Sequence, residues 1–92
     1  MYNYFMLVGI VKEIKWLVST GPAQIAMTLK VKDDFTHKEN LFIVYFEAHE
    51  FKDILTQDLV GKLLGVKGRL IMRNLLELKG ERLHFYNEGL EE

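Results

Sequence analysis

The sequence of 92 residues lacks several features, and each absence narrows the range of functions. It contains no cysteine, which excludes a disulfide framework and a thiolate metal site and is consistent with a reducing cytoplasm. No apolar run reaches the roughly 18 residues that a transmembrane helix needs. The chain continues from Met1 into strand-like sequence without a basic region, which predicts no signal peptide, no membrane partner and a cytoplasmic location.

Groups typical of catalytic sites are also scarce. The single serine, Ser19, lies in a turn signal, and no histidine stands near both a nucleophile and an acid in the sequence. The histidines have no spacing typical of zinc ligands, and Asp33-Asp34 lacks the regularly spaced oxygen ligands of a calcium loop. We therefore expect a protein that is not an enzyme and that needs no cofactor or metal.

The composition is that of one compact domain. Apolar residues make up 49% of the chain and charged residues 27%, with a net charge of −1, which argues against disorder. We expect residues 1–92 to form a single domain with a frayed C-terminus from about residue 87.

Three strand patterns come first along the chain. Residues 2–18 form a long apolar segment that Gly9 is expected to bend. In the second segment, residues 25–32, large apolar residues alternate with Ala26, Thr28, Lys30 and Lys32. This strand therefore has a dry face and a wet, basic face. Residues 41–46 are apolar at every position, which predicts a strand with both faces covered.

The second half of the chain contains a helix pattern and two further strand patterns. Apolar residues recur at helical spacing between residues 48 and 59, and Gly61 follows them. Residues 63–72 predict a fourth strand, residues 74–80 a loop, and residues 82–86 a short fifth strand. Five strands with one helix between strands 3 and 4 predict an all-β, OB-fold, five-stranded Greek-key barrel, whose strands 2–3 and end loops bind oligonucleotides or oligosaccharides.

Charge and aromatic residues indicate which ligand such a barrel would bind. Residues 1–32 contain four lysines against one glutamate, whereas the remainder of the chain has a net charge of −4. Phe35 lies in an otherwise polar loop, and Phe42 and Phe46 share one face of strand 3. Flat side chains beside lysines are typical of surfaces that bind single-stranded nucleic acid. Each aromatic residue taken alone favours core packing, whereas the set on a basic face favours binding.

These residues resemble the bacterial single-stranded DNA-binding proteins over nearly the whole chain, from Phe5 to about Tyr86. The motifs that carry the resemblance are Leu7-Val8-Gly9, Glu13-Ile14-Lys15-Trp16, Met27-Thr28-Leu29 followed by Phe35, Phe46 at the end of strand 3, and Gly61 followed by Val66-Lys67-Gly68-Arg69-Leu70. The chain looks like a small, tail-less member, and primosomal replication protein N is also similar. The family's acidic, aromatic-ended tail is absent, so the resemblance does not imply recruitment of replication or repair partners.

We therefore expect sequence-tolerant binding of single-stranded DNA. Lys12, Lys15, Lys30 and Lys32 are expected to meet its phosphates, and Thr28 is expected in the same site. Arg73 and Lys79, which flank the predicted loop between strands 4 and 5, are expected to extend this track. The residues expected to stack on bases are Trp16, Phe35, Phe42 and Phe46. Strand 1 is apolar on both faces, which predicts a homodimer or homotetramer through that strand. Two alternatives remain: a primosome-type accessory protein, and an OB-fold scaffold that docks or oligomerises without binding DNA.

Overall fold

The computed structural model describes residues 3–18, 21–52, 58–72 and 74–86. In these ranges the strands are β1 Tyr4–Leu17, β2 Gln24–Lys32, β3 Glu39–Glu47, β4 Leu63–Met72 and β5 Leu76–Phe85. They form a closed barrel in the order β1-β2-β3-β5-β4. Only the β3–β5 pairing is parallel among the pairings described. The predicted five-stranded OB-fold barrel is therefore confirmed.

The first strand serves two neighbours because a bulge interrupts it. Before the bulge, β1 pairs with β4, and from Ile10 onwards it pairs with β2. The register shifts between Val11 and Glu13, so that Lys12 is an extra residue. A bulge bends its strand and increases the local twist. The bend thus lies at Lys12, three residues beyond its predicted position at Gly9. At Gly9 the backbone instead passes close to β2, since a Cβ on this glycine would lie 2.6 Å from the carbonyl oxygen of Lys30.

The barrel core is built from the inward faces of all the strands. The alternation predicted for β2 is confirmed, since Ile25, Met27 and Leu29 are completely or almost completely buried. The other strands bury a similar set of apolar side chains: Val11, Val44, Phe46, Leu64 and Val66. The outward residues of β2, including Thr28 and Lys30, are partly exposed. A period of two residues is what separates these faces in a strand.

Where the structure describes it, the predicted helix between β3 and β4 is only a 3₁₀ turn, Ala48–Glu50. The backbone N–H of Phe51 donates to the carbonyl of Ala48 at 3.2 Å, which is the i to i+3 bond of a 3₁₀ turn. Phe51 and Leu59 are buried in the core, as their spacing predicted, whereas Ile54 and Leu55 lie outside the described residues. No helix in the described ranges is long and apolar enough to cross a membrane.

The last strand is longer than its sequence pattern indicated. Residues 76–80 were expected in a loop, but they belong to β5, and Gly80 lies inside the strand opposite Gly68. A side chain at Gly80 would overlap the ring of Phe46, so this glycine leaves room for a core aromatic instead of forming a turn. The register of β4 and β5 then shifts, and Glu81 is the extra residue between Gly80 and Arg82.

Candidate nucleic-acid interface

One outer surface of the barrel combines lysines with apolar side chains, and we call it the front face. It consists of outward residues of β1 after the bulge, of β2 and of β3, with Ile10 at its border: Glu13, Lys15, Ala26, Thr28, Lys30, Leu41, Ile43 and Tyr45. The strand registers arrange them in rows, each containing one residue of β2 with its Cα partners on β1 and β3. The rows are Ile10–Lys30–Leu41, Glu13–Thr28–Ile43 and Lys15–Ala26–Tyr45.

Tyr45 is the aromatic residue of this surface, and it has a cation on each side. Its Cα partner on β5 is Lys79, and its partner on β2 is Ala26, beyond which lies Lys15. Tyr45 is half-buried, while Lys15 is exposed. Because Ala26 has only a methyl group, no large side chain separates the tyrosine from the lysine along the row. Tyr45 is not among the residues that the sequence predicted to stack on bases.

The expectation that Phe46 stacks on bases is wrong for this structure. Its side chain is 2% exposed, and its ring packs edge-to-face on Phe51 with 4.8 Å between the ring centroids. Phe42 lies on the same inward side of β3 as Val44 and Phe46 and is half-buried. The two phenylalanines do share one face, as predicted, but it is the face that fills the barrel.

A signal for the correct faces was present in the sequence. β3 begins and ends with a glutamate, Glu39 and Glu47. By the two-residue period of a strand, both lie on the same side as Leu41, Ile43 and Tyr45. Two carboxylates on one face of a strand indicate the side that meets water, because charged residues are seldom buried without a partner. The prediction considered only residues 41–46, so it omitted both glutamates.

An apolar groove adjoins the front face where β3 and β5 separate. These strands are paired only at Val44 with Leu78 and at Tyr45 with Lys79. Beyond that contact they diverge and leave a groove of about 580 Å³. Its lining is mostly aliphatic and aromatic: Phe5, Leu7, Leu41, Phe42, Ile43, Tyr45, Leu75, Leu76, Glu77 and Leu78. Leu41, Leu75 and Leu76 are each more than half exposed, so the groove is open to a ligand.

The lysines predicted to meet phosphates lie at or beside the front face. The ammonium of Lys30 is 3.5 Å from a carboxylate oxygen of Glu39, and that of Lys15 is 3.6 Å from Glu13. Exposed pairs of this kind contribute about 0–1 kcal/mol each, so either lysine can exchange its carboxylate for a phosphate at small cost. Lys12 is exposed at the bulge, and Lys32 is exposed at the end of β2 opposite Glu39.

Phe35 lies at the tip of the β2–β3 hairpin and is 94% exposed. The turn that carries it is organised by Asp33, whose Oδ1 accepts hydrogen bonds from the backbone N–H groups of Phe35 at 2.7 Å and Thr36 at 3.2 Å. His37 adopts the left-handed conformation, with φ of 60°. Asp33 thus stabilises the turn that presents the phenylalanine ring to solvent.

The remaining predicted residues are more dispersed. Trp16 is 52% exposed, but its Cα partner is the buried Ile25, so it extends the inward side of β1 beyond the barrel. Lys79, predicted to flank a loop, lies within β5 beside Tyr45. Arg73 lies outside the described residues. Within the described ranges, no group of three or more histidine, aspartate or glutamate side chains is placed to hold a metal ion.

No family model and no curated protein matches this sequence. Solved structures do match its fold. The mitochondrial single-stranded DNA-binding protein of S. cerevisiae is similar with a TM-score of 0.78 and 15% identity, over 94% of this chain and 96% of that one. A small single-stranded DNA-binding protein from Streptomyces coelicolor gives 0.74 and 17%, over 96% and 97% of the two chains.

A third similar structure is the dimeric N-terminal domain of the PriB protein from Thermoanaerobacter tencongensis. Its TM-score is 0.72 at 18% identity, and the match covers 91% of this chain and 96% of that domain. At such low identities the likeness shows the fold alone. It confirms, at the level of the fold, the resemblance inferred from the sequence motifs, and it spans nearly the whole of each chain.

Proposed function

We propose that this protein is a non-catalytic binder of single-stranded DNA and that the front face carries the strand. The observation that supports this most strongly is the row Lys15–Ala26–Tyr45–Lys79. It provides one ring for a base and a cation on each side for the phosphates that flank that base. Proteins that bind single strands without sequence preference combine these two elements, a basic track and aromatic side chains for stacking.

The apolar groove supports the same assignment. A base whose backbone follows the lysines needs a surface for its flat face, and Ile43 and Leu76 extend that surface from Tyr45 towards the β4–β5 connection. Such contacts are insensitive to base identity because every base has a π-face. Phe35, exposed at the hairpin tip, provides a second ring at the edge of the front face. We therefore expect little sequence preference.

The similar structures add support of a different kind. The yeast mitochondrial protein and the Streptomyces protein are both named as single-stranded DNA-binding proteins. The same barrel topology can serve other purposes, since function depends on a site and not on a fold. The ligand of this chain is therefore inferred from the front face, and the similar structures make a nucleic acid the first ligand to test.

Titration of a fluorescently labelled oligo-dT at low salt tests the proposal, with fluorescence anisotropy as the readout. The substitution Tyr45→Ala should weaken binding by about 1–3 kcal/mol, the contribution of one stacked base. The matched control Tyr45→Phe keeps the ring and should bind nearly as the parent does. A parent chain that does not bind oligo-dT would exclude the proposal, and a folded Tyr45→Ala variant with unchanged affinity would remove Tyr45 from the site.

A protein-docking scaffold is the second candidate function, and one specific observation favours it. Four outward residues of β1 before its bulge form an apolar stripe: Tyr4, Met6, Val8 and Ile10. They are 63%, 55%, 39% and 37% exposed. An exposed apolar row on one strand is typical of a surface that another protein covers. We propose that a second copy of this chain covers the stripe, which is compatible with DNA on the front face.

A further inference from the structure

The front face and the ends of its strands carry as many carboxylates as cations. On the outward side of β1 after the bulge, of β2 and of β3, the charged residues are three lysines and three glutamates: Glu13, Lys15, Lys30, Lys32, Glu39 and Glu47. A phosphate polymer responds to the local potential, so a surface that bound it through charge alone would carry an excess of cations. Equal numbers of opposite charges cancel much of that potential, and this surface therefore attracts a bare polyanion only weakly.

Glu39 lies between two of the lysines. It is the Cα partner of Lys32 on β2, and one of its carboxylate oxygens is 3.5 Å from Nζ of Lys30. The side chain of Lys30 is 31% exposed and that of Glu39 is 51% exposed, so the ion pair is open to solvent. A phosphate that reaches Lys30 therefore comes close to this carboxylate.

Glu13 has a similar position on β1, on the other side of β2. Its Cα partner is Thr28, and one of its carboxylate oxygens is 3.6 Å from Nζ of Lys15. Lys15 is the cation at one end of the row that contains Tyr45. A phosphate next to a base that is stacked on Tyr45 therefore meets Glu13 as well as Lys15.

A phosphate that replaces either carboxylate at its lysine brings two negative charges close together, and like charges repel at this range. The repulsion grows with the density of phosphates along the ligand. Duplex DNA carries one charge per about 1.7 Å of its axis, whereas each of its strands alone carries one per about 3.4 Å. A duplex also holds its phosphates in fixed positions, so it cannot place them on the lysines and keep them away from the carboxylates.

Stacking offsets this repulsion only for a ligand whose bases are exposed. The ring of Tyr45 and the apolar groove provide contacts for the flat face of a base. A single strand presents that face and can adapt its backbone to the charges on the protein. A duplex keeps its bases inside its own stack, so it meets the two carboxylates and gains no stacking in return.

We propose that Glu13 and Glu39 are specificity-determining residues, which make the front face reject nucleic acids whose bases are paired. The proposal deepens the proposed function and rests on it, because it concerns the choice of ligand at the same face. Lys15 and Lys30 attract phosphates in general, and the two carboxylates restrict binding to ligands that also stack.

The double substitution Glu13→Gln/Glu39→Gln tests this proposal, because it removes both charges and nearly preserves side-chain size. Anisotropy titrations at low salt compare labelled oligo-dT with a labelled duplex of the same length. The affinity for the duplex should rise about tenfold, or about threefold for each carboxylate, which is within the range of exposed ion pairs. The affinity for oligo-dT should rise less than about threefold, so the preference for the single strand should fall.

Two further variants serve as controls. Asp58→Asn removes an exposed carboxylate in the β3–β4 connection, outside the front face, and should leave both affinities unchanged. Glu39→Asp keeps the negative charge and should keep the preference of the parent for the single strand. This conservative variant separates the charge of Glu39 from its size.

A structural role for the ion pair between Lys30 and Glu39 predicts an effect of opposite sign. A carboxylate that held Lys30 in position for DNA would be needed for binding, so Glu39→Gln would then lower the affinity for oligo-dT. That result, in a variant whose thermal midpoint shows that it is folded, would overturn the proposal.

Two other results would also overturn it. The first is an equal gain of affinity for both ligands in the double variant, which means that the carboxylates weaken all phosphate binding without selecting a ligand. The second is an unchanged affinity for the duplex. Failure of the proposed function is recognised separately, by a parent chain that does not bind oligo-dT.

Discussion

Tyr45 and Phe46 are neighbours in the chain but belong to different parts of the molecule. Tyr45 is half-buried on the front face between Ala26 and Lys79, and Phe46 is enclosed in the barrel against Phe51. A shift of one residue in a strand moves a side chain to the opposite face of the sheet. The effects of truncating the two rings should therefore fall on different properties, stability for one and binding for the other.

Alanine substitution at each position should show this division. Phe46→Ala removes a ring that is 2% exposed and should lower the free energy of unfolding by about 3–5 kcal/mol, as for other buried phenylalanines. Tyr45→Ala should leave stability within about 1 kcal/mol, since the side chain lies on the outer surface and is only half-buried. Urea denaturation followed by circular dichroism measures both. Equal losses of stability would contradict the assignment of the two faces.

Gly80 shows a second constraint at this scale. A methyl group at this position would overlap the Phe46 ring, and the strand backbone leaves it nowhere else to go. Gly80→Ala should therefore lower the free energy of unfolding by about 1–3 kcal/mol, the usual cost of overpacking a core. Gly21→Ala is the control, because a Cβ there would meet no atom within 4 Å. A thermal midpoint of Gly80→Ala equal to that of the parent would show that Phe46 can move aside.

At the scale of elements, the front face forms because the pairing of β1, β2 and β3 brings residues from different strands next to each other. Lys30 gains Ile10 on one side and Leu41 on the other only because β2 pairs with both β1 and β3. The bulge at Lys12 has a further effect, since it brings Glu13 and Lys15 to the outward side of β1, where only apolar residues precede it. The bulge thus marks the boundary between the apolar stripe and the charged front face.

The salt dependence of DNA binding should reflect this charged surface. With about three to five phosphate contacts, log K should fall with log salt at a slope of roughly −2 to −4. Lys30→Ala should weaken binding and make the slope shallower by about 0.7, because one counterion-releasing contact is lost. Tyr45→Ala should weaken binding at an unchanged slope, because stacking displaces no ions. Anisotropy titrations at four salt concentrations measure both slopes, with Lys62→Ala as the control for a lysine away from the front face.

A Lys30→Ala variant with the slope of the parent would show that this lysine stays with Glu39 when DNA is bound. The ion pair of 3.5 Å would then be a structural contact of the β2–β3 hairpin, not a site that exchanges its anion.

At the scale of the whole molecule, the first part of β1 carries the exposed apolar stripe and has a partner strand on one side only. Phe5 to Gly9 pair with β4, whereas β2 joins β1 from Ile10 onwards. The stripe and this strand edge together favour contact with a second copy, around a two-fold axis that repeats the same surface on both protomers.

Light scattering at micromolar concentration should show at least a dimer. Val8→Lys adds a charge in the middle of the stripe, and it should produce a monomer. Thr36→Lys, in the exposed β2–β3 turn, adds the same charge elsewhere and should leave the assembly unchanged. A parent chain that is monomeric under these conditions would contradict self-association through β1.

Much of the architecture could be predicted because it follows from local pattern. Alternation in β2 identified its buried residues, and the turn signals separated the first three strands in the correct order. The loop prediction for residues 74–80 failed because Lys79-Gly80 has the composition of a turn. What makes Gly80 a strand residue is the ring of Phe46, which is distant in sequence and therefore invisible to local pattern.

Residue type and spacing within short segments are enough to predict a five-stranded barrel, the dry face of β2 and the loop that contains Phe35. Which side chains lie together on a surface depends on pairing between distant strands. The row Lys15–Ala26–Tyr45–Lys79 joins four strands, and Lys67 lies opposite Arg82 only because the register of β4 and β5 shifts. Such rows depend on which residues face each other across strands, and a bulge of one residue changes that register without leaving a recognisable pattern along the chain.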